Sequence, residues 1–336
     1  MARLIANRLA GALVVVASVI VVTFFLTHAL PADPAVYFAG MGATKEAIAD
    51  MRSKLGLDRS LFSQFAIYLR ALAGGDLGHS LTTGHPVLDD LARRLPASLE
   101  LTVTALVFAT IVGLPAGIWA AMRPNSWFDG MVRVVATLGV AIPTFFTGLM
   151  LLYVFYFELG WAPAPLGRLG SFASPPPPIT GFYLVDSLLA GKPRTFAAVL
   201  GQIALPALTL ALFAVAPLVR ATRAAMIEAL SSDFIRTAKA IPLSGARIVL
   251  VYAFGNALLP VLTTIGMVFS FLLGANVLVE KVFAWPGVGS YAVDALIAAD
   301  YAPVQGFVLV MALLYTALNL LIDLAIIIVD PRTVAA

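Results

Sequence analysis

Cysteine is absent from the 336 residues, so disulfides and thiolate metal sites are excluded. Charge is scarce: Asp, Glu, Lys and Arg make up 12% of the chain, against about a quarter in soluble domains. The three histidines, His28, His79 and His85, show no HExxH-type spacing. No GxSxG nucleophile elbow is found. The only Gly-Lys pair, Gly191-Lys192, is followed by Pro193, so there is no GxxxxGK[ST] phosphate loop. "GVGSYA" at 287–292 has two glycines at dinucleotide-fingerprint spacing but lacks the third, and is read as a turn. A catalytic constellation is therefore missing, and any ATP-driven work has to be powered from another chain.

What is there instead is apolar. Hydrophobic residues make up 61% of the chain and the mean hydropathy is +0.97. Uncharged runs at 9–30, 101–122, 134–157, 195–219, 248–279 and 302–322 each suffice to cross about 30 Å of hydrocarbon as a helix. Six transmembrane helices are predicted, giving an all-α polytopic membrane protein. The first run is longer than a signal-peptide core, and "THALPADP" offers no small-x-small cleavage site, so it is read as an uncleaved helix. The fifth would be nearly 50 Å long if wholly helical, at about 1.5 Å per residue, so its first part is placed outside the membrane.

Basic residues orient the chain. Arg3 and Arg8 precede the first run, Arg123 and Arg133 flank the second connection, and Arg220, Arg223, Arg236, Lys239 and Arg247 crowd the fourth. These segments are expected to be cytoplasmic, with both termini inside. The connection at 280–301 has Lys281 against Glu280, Asp294 and Asp300, which suits the outside. The net charge of +3 thus marks orientation in a lipid membrane, not nucleic-acid binding. Residues 31–100 are read as a small outer domain, since a loop this long translocates regardless of its charge. Within it, "TKEAIADMRSKLGL" has helical apolar spacing at Ala47, Ile48, Met51 and Leu55, and "SLFSQFAIYLRAL" has a similar one. "SPPPPITG" marks the third connection as extended surface chain.

Polar and small residues within the spans raise packing questions. Asn319 and Asp323 share a helix face, and Asp323 falls near the expected cytoplasmic end, where it reaches water or a loop arginine. Asn256 and Asn276 are expected to make interhelical hydrogen bonds, and "GLPAG" at 113–117 has the GxxxG spacing that lets helices approach closely. Pro115, Pro143, Pro206, Pro217 and Pro260 favour bends.

The fourth connection carries "RTAKAIPLSGAR", residues 236–247, between two apolar runs. Residues 220–247 are too long for a tight turn, and "SDFIRTAKA" predicts a short surface helix with Ser232 or Asp233 as N-cap. Loop cations of this kind often only enforce orientation. Here they also compose a compact basic knob that a cytoplasmic partner could grip.

"RTAKAIPL" at 236–243 followed by "NALLP" at 256–260 resembles the permease subunits of ATP-binding-cassette importers for dipeptides and oligopeptides. "LGLDRSLFSQFAIYL", "GDLGHSLTTGHPVLDDLARRLPASLELT", "ITGFYLVDSLLAG", "VEKVFAWPGVGSYAVDALIAADYAPVQG" and "NLLIDLAIIIVDPR" are similar to that family in order along the whole chain. The resemblance implies a type I importer permease fold with a small outer-face domain after helix 1. Its organisation would be 1–30 (tail and first helix), 31–100 (extracytoplasmic domain) and 101–336 (permease core), with the coupling loop at 220–247. It further implies a multi-pass protein of the inner (plasma) membrane that is not itself an enzyme. A second permease, usually a different chain, completes the channel, two ATPase subunits bind ATP and Mg, and an extracytoplasmic substrate-binding protein delivers the peptide. No cofactor is implied on this chain.

On the same resemblance Arg236, Thr237, Ala238, Lys239, Ala240, Pro242 and Leu243 form the contact with the ATPase, with the small alanines permitting close approach. Residues 280–305 face the binding protein or line the outer gate, among them Trp285, Pro286, Gly287, Asp300 and Tyr301. The competing reading of that segment is a packed outer turn that closes the fold. Where the family has Lys-Gly, this chain has Ile241-Pro242. Proline cannot reach positive φ, so Pro242 is expected to end the helix in its own way and fix the exit direction. Two alternatives stand beside the peptide importer. One is a relative carrying nickel, glutathione or another small solute. The other is an ion-coupled secondary transporter, which predicts ionisable groups near mid-membrane and inverted repeats; Asp323 is the only candidate, and its position is peripheral.

Overall fold

A computed structural model of the chain describes residues 2–29, 33–40, 42–170 and 173–329. In chain order the helices are α1 (Ala2–Ala29), α2 (Pro34–Ala39), α3 (Lys45–Lys54), α4 (Leu61–Ala73), α5 (Val87–Met122), α6 (Trp127–Ala141) and α7 (Thr144–Leu151), the last continued by a π-helical stretch, Leu152–Glu158. Then follow α8 (Tyr183–Leu189), α9 (Pro193–Ser231), α10 (Asp233–Ala240), α11 (Gly245–Arg247), a second π-helical stretch (Ile248–Ala253), α12 (Phe254–Val282), α13 (Val288–Ile297) and α14 (Tyr301–Val329). No β-strand occurs among the described residues; His79 and Pro86 form an isolated bridge.

Local chemistry explains the starts of the three helices that follow α1. Asp33 accepts the Ala35 N–H at 3.0 Å with Pro34 at the first helical position, Thr44 accepts from Ala47 and Ser60 from Ser63. The two helices expected after residue 43 are thus present, as α3 and α4.

Four described helical segments are long and apolar enough to cross a membrane: Val87–Met122, Pro193–Ser231, Gly245–Val282 and Tyr301–Ile322. The expected third span is instead a pair, Trp127–Gly139 and Thr144–Glu158, bent by 103°. Pro143 is the cause: the preceding Ile142 is extended at φ −95°, ψ 130°, and the proline supplies no N–H to continue the ladder. Pro206, Pro217 and Pro260 are accommodated inside α9 and α12. In α1, Leu13–Ala29 forms a shorter apolar helix. The side chain of Asp323 lies outside the described residues.

The chain divides into two compact units. The first comprises Met1–Pro96 and Pro286–Ala317. There α4 packs on the end of α1, with Phe24 5.0 Å from Phe65 and 5.6 Å from Tyr68 between ring centroids. Buried Asp300 accepts hydrogen bonds from Ser80 Oγ, Thr82 N and Thr82 Oγ1, tying the start of α14 to the segment before α5. Tyr291 donates to Asp90, and burial pushes its phenol up to about 12.

The second unit comprises Ala97–Trp285 and Leu318–Ala336. Its main core joins Leu101, Ala105, Ile203, Leu210, Leu218 and Leu272 from α5, α9 and α12 with Trp285 from the connection after α12. Asn276 makes the expected interhelical contact, donating to Ser98 O at 3.1 Å and Thr102 Oγ1 at 3.3 Å. Asn256 does not: it is exposed and donates to Tyr252 O, one turn back in the same continuous segment Gly245–Val282. Residue 100, where the outer domain was expected to end, falls inside the continuous α5.

Candidate coupling site

α10 covers Asp233–Ala240, where the sequence predicts a surface helix. Ser232 stands at the N-cap position with extended φ −71°, ψ 155°, but its hydroxyl donates back to Ala229 O instead of capping α10. Ile235 and Ala238, one turn apart, are buried in a cluster with Ala121, Met226, Ala229, Ile248, Ala253 and Ala257. α10 is therefore fastened to the end of α9 and to the start of the long segment that becomes α12. On its opposite side Arg236, Thr237, Lys239 and Ala240 are exposed. Arg236 pairs with Asp233 at 3.3 Å, a surface contact of little energetic weight that leaves the guanidinium free to exchange partners.

The exit is built around proline. Ile241 is extended at φ −105°, ψ 156°, and Leu243 N donates to Ile241 O at 2.7 Å across Pro242, a three-residue turn. Ser244 then accepts from Arg247 N and starts the next helix. No residue from 236 to 247 has positive φ, so this exit dispenses with the glycine conformation altogether. Of the residues expected to meet an ATPase, Arg236, Thr237, Lys239, Ala240 and Pro242 face outward. Ala238, at 5% exposure, and half-buried Leu243 face inward and hold the helix down.

Behind α10 the unit is rigidly packed. The GxxxG pair lies against α9: a Cβ at Gly117 would sit 2.7 Å from Thr222 Cβ and 2.9 Å from Val219 O, and one at Gly113 3.2 Å from Leu218 Cβ. Gly139 of α6 faces Leu212 O in the same way, at 2.8 Å. Asp129 in the first turn of α6 is fully buried and accepts a two-pronged contact from Arg223, Nε at 2.5 Å and Nη2 at 2.8 Å. Asn125 N adds a third hydrogen bond to that carboxylate at 3.0 Å. The connection bearing Arg123 and Asn125 is thus clamped to the half of α9 that leads into α10.

The outer candidates separate. Trp285 is wholly buried and donates from Nε1 to Ala97 O at 2.9 Å; Gly287 and Asp300 are buried, Pro286 is exposed and Tyr301 is half-buried. Trp285 and Asp300 close their own units from within. Nearby, Glu100 and Arg168 form a buried ion pair at 2.5 Å, with Leu184 N also on Glu100 and the Arg168 guanidinium 3.4 Å above the Tyr183 ring centre. Asp186 collects Ile179 N, Thr180 N, Thr180 Oγ1 and Gly181 N. Burial pushes its carboxyl up, but these hydrogen bonds outweigh it and hold the group below its ordinary value.

The family described as the binding-protein-dependent transport system inner membrane component matches residues 113–335, and its N-terminal companion matches residues 1–102. The chain belongs to this family. Among individual relatives, a probable D,D-dipeptide transport system permease protein of Escherichia coli (strain K12) is 44% identical over 97% of this chain and 96% of its own. A dipeptide transport system permease protein of Alkalihalophilus pseudofirmus is 39% identical over 93% of each chain. A di/tripeptide transport system permease protein of Pseudomonas aeruginosa (strain UCBPP-PA14) is 38% identical over 99% of this chain and 98% of its own. The permease family therefore spans the whole chain, and its two parts meet inside α5.

Asp129, Arg223, Glu100 and Arg168 were not singled out by the sequence as site residues. Asp129 and Arg223 are 94 positions apart, and Glu100 and Arg168 are 68 apart, so no local spacing signals either pair. Arg223 read only as an orienting charge. The one available signal was a carboxylate, Glu100, standing directly before an uncharged run.

Proposed function

We propose that this permease is the membrane-embedded half of an ATP-driven importer of dipeptides or short oligopeptides. The names of its relatives support that substrate class. In this proposal six spans cross the inner membrane with both termini cytoplasmic, a second permease chain completes the channel, and an extracytoplasmic binding protein supplies the peptide. Two ATPase subunits carry ATP and Mg, so this chain needs no cofactor and catalyses no reaction. The residue ranges 1–30, 31–100 and 101–336 describe the tail with first helix, the outer region and the permease core.

The observation that carries the coupling role is α10 itself: a short helix with Arg236, Thr237 and Lys239 outward and Ile235 and Ala238 buried. A helix fastened on one face moves as a body when its other face is pushed, which a loose loop does not. The outward residues, with Ala240 and Pro242, meet the ATPase; Ala238 and Leu243 transmit the movement to α9 and α12. The Arg223–Asp129 clamp and the glycine contacts carry it on to α6 and α5. At the outer side Pro286 and Tyr301 contact the binding protein or the gate, while Trp285, Gly287 and Asp300 set the backbone that presents them.

Replacing Ile241 and Pro242 by Lys and Gly tests the exit turn. Peptide-stimulated ATPase activity of the assembled transporter is expected to survive, because both sequences end α10 at the same place. Complete uncoupling in that variant refutes the equivalence. Copurification tests the assembly: with its neighbouring gene products coexpressed, the chain should retain ATPase subunits, and their consistent absence overturns the proposal.

A further inference from the structure

α4 presents apolar residues on two sides. Phe65 and Tyr68 pack on Phe24, Phe65 also on Phe25, and His28 Nε2 lies 3.0 Å from Gln64 Oε1. Beside them Phe62, Ala66, Leu69 and Ala73 fall on one exposed stripe at helical spacing, Phe62 at 80%, while Leu61 at the first turn and Ile67 farther round are exposed singly. Arg59 precedes the helix and Arg70 lies in its last turn. An outer domain with water all round it would not favour so many bare side chains on one short helix.

Two markers give the level of α4 along the membrane normal. Phe24 lies five residues before the end of α1, about 7 Å along its axis, and its apolar run continues to residue 30. The rings of α4 that touch Phe24 are therefore within reach of the hydrocarbon edge. One turn beyond Phe24, the His28 ring lies 5.3 Å from that of Tyr301, tilted by 50°, and Tyr301 is the first residue of the spanning segment Tyr301–Ile322. The end of α1 on which α4 packs thus also meets the start of α14.

We infer that α4 lies in the plane of the membrane interface, with the Phe62 and Leu69 stripe among the acyl chains of the leaflet at the C-terminal end of α1 and Arg59 and Arg70 at lipid phosphates. The surface continues the lipid-facing belt of α1, where Leu13, Val14 and Val22 are exposed, and its flanking arginines match anionic head groups. The inference rests on α1 and α14 spanning the bilayer; peptide transport and ATPase docking play no part in it.

The absence of native cysteine makes the test direct. Phe62→Cys and, separately, Leu69→Cys are labelled with an environment-sensitive fluorophore in the full chain reconstituted into nanodiscs. Glu46→Cys on α3 serves as the aqueous reference, and Leu13→Cys on α1 reports insertion. Labels at 62 and 69 should emit to the blue of the Glu46 label, lose most of their intensity to lipids carrying a nitroxide near the head group, and resist iodide. Iodide quenching equal to that at 46, with the Leu13 label quenched by deep nitroxide lipid, overturns the inference. So does shielding that arises only on adding the binding protein, which would make the face a protein-docking surface. Failure here with intact peptide uptake leaves the transport function standing, and the reverse result leaves the interfacial helix standing.

Discussion

Removing either partner of the Arg223–Asp129 clamp should have unequal consequences. Asp129 is wholly buried and Arg223 retains 22% exposure. Asp129→Ala leaves a guanidinium that can reach water, and strands Asn125 N, whose acceptor was the same carboxylate. Arg223→Ala leaves a buried carboxylate with that single N–H. Breaking one side of a buried pair costs about 3–5 kcal/mol, and the exposures place Asp129→Ala near the lower end and Arg223→Ala near the upper. Replacing both, as Asp129→Leu with Arg223→Met, removes the stranded charge and should recover much of the loss. Equilibrium unfolding of the purified permease in detergent measures all three. Basal and peptide-stimulated ATPase rates of the assembled transporter then show whether the clamp also carries coupling. Equal stability of the two single variants, or a double variant worse than either, refutes the electrostatic argument.

Gly117→Val should force α5 and α9 apart, since even a Cβ lies 2.9 Å from Val219 O, and cost about 1–3 kcal/mol by overpacking, read as a lowered unfolding midpoint. Trp285→Phe removes the five-membered ring and the donor to Ala97 O and should cost clearly less than Trp285→Ala, for which about 3–5 kcal/mol is expected; similar losses for both would mean the indole is not packed as described. Asp186 has a lowered folded pKa, so its stabilisation is present above the unfolded value of about 4 and vanishes as pH falls through the folded one. Asp186→Asn should therefore destabilise at neutral pH, with the gap to the parent closing in acid; a gap constant from neutral to acid pH contradicts the assignment.

Much of this molecule was legible from hydropathy. The runs at 101–122, 195–219, 248–279 and 302–322 all lie within helices long enough to span. Run length could not show that Pro143 breaks the third into a bent pair, because an uncharged stretch reads the same whether it is straight or folded back. α10 was legible from composition and its break from Pro242. Which way each side chain faced was not: small Ala238 suggested close approach to a partner, yet it sits one turn from Ile235 and shares its buried side. The outer segment divided similarly, with Trp285 serving the interior although the motif around it marked a turn. Pairs such as Glu100 with Arg168 depend on tertiary contacts across long stretches of chain, and each partner alone reads as a solvated charge.

In the proposed assembly the ATPase grips this permease at the exposed side of α10. Single cysteines at Arg236, Thr237 and Lys239, each the only thiol in the chain, should crosslink to a coexpressed ATPase subunit, and nucleotide should change the yield. A cysteine at Thr180, in the connection expected on the opposite side of the membrane, should give none. Absence of crosslinks from all three α10 positions in a complex that copurifies and hydrolyses ATP would contradict the account.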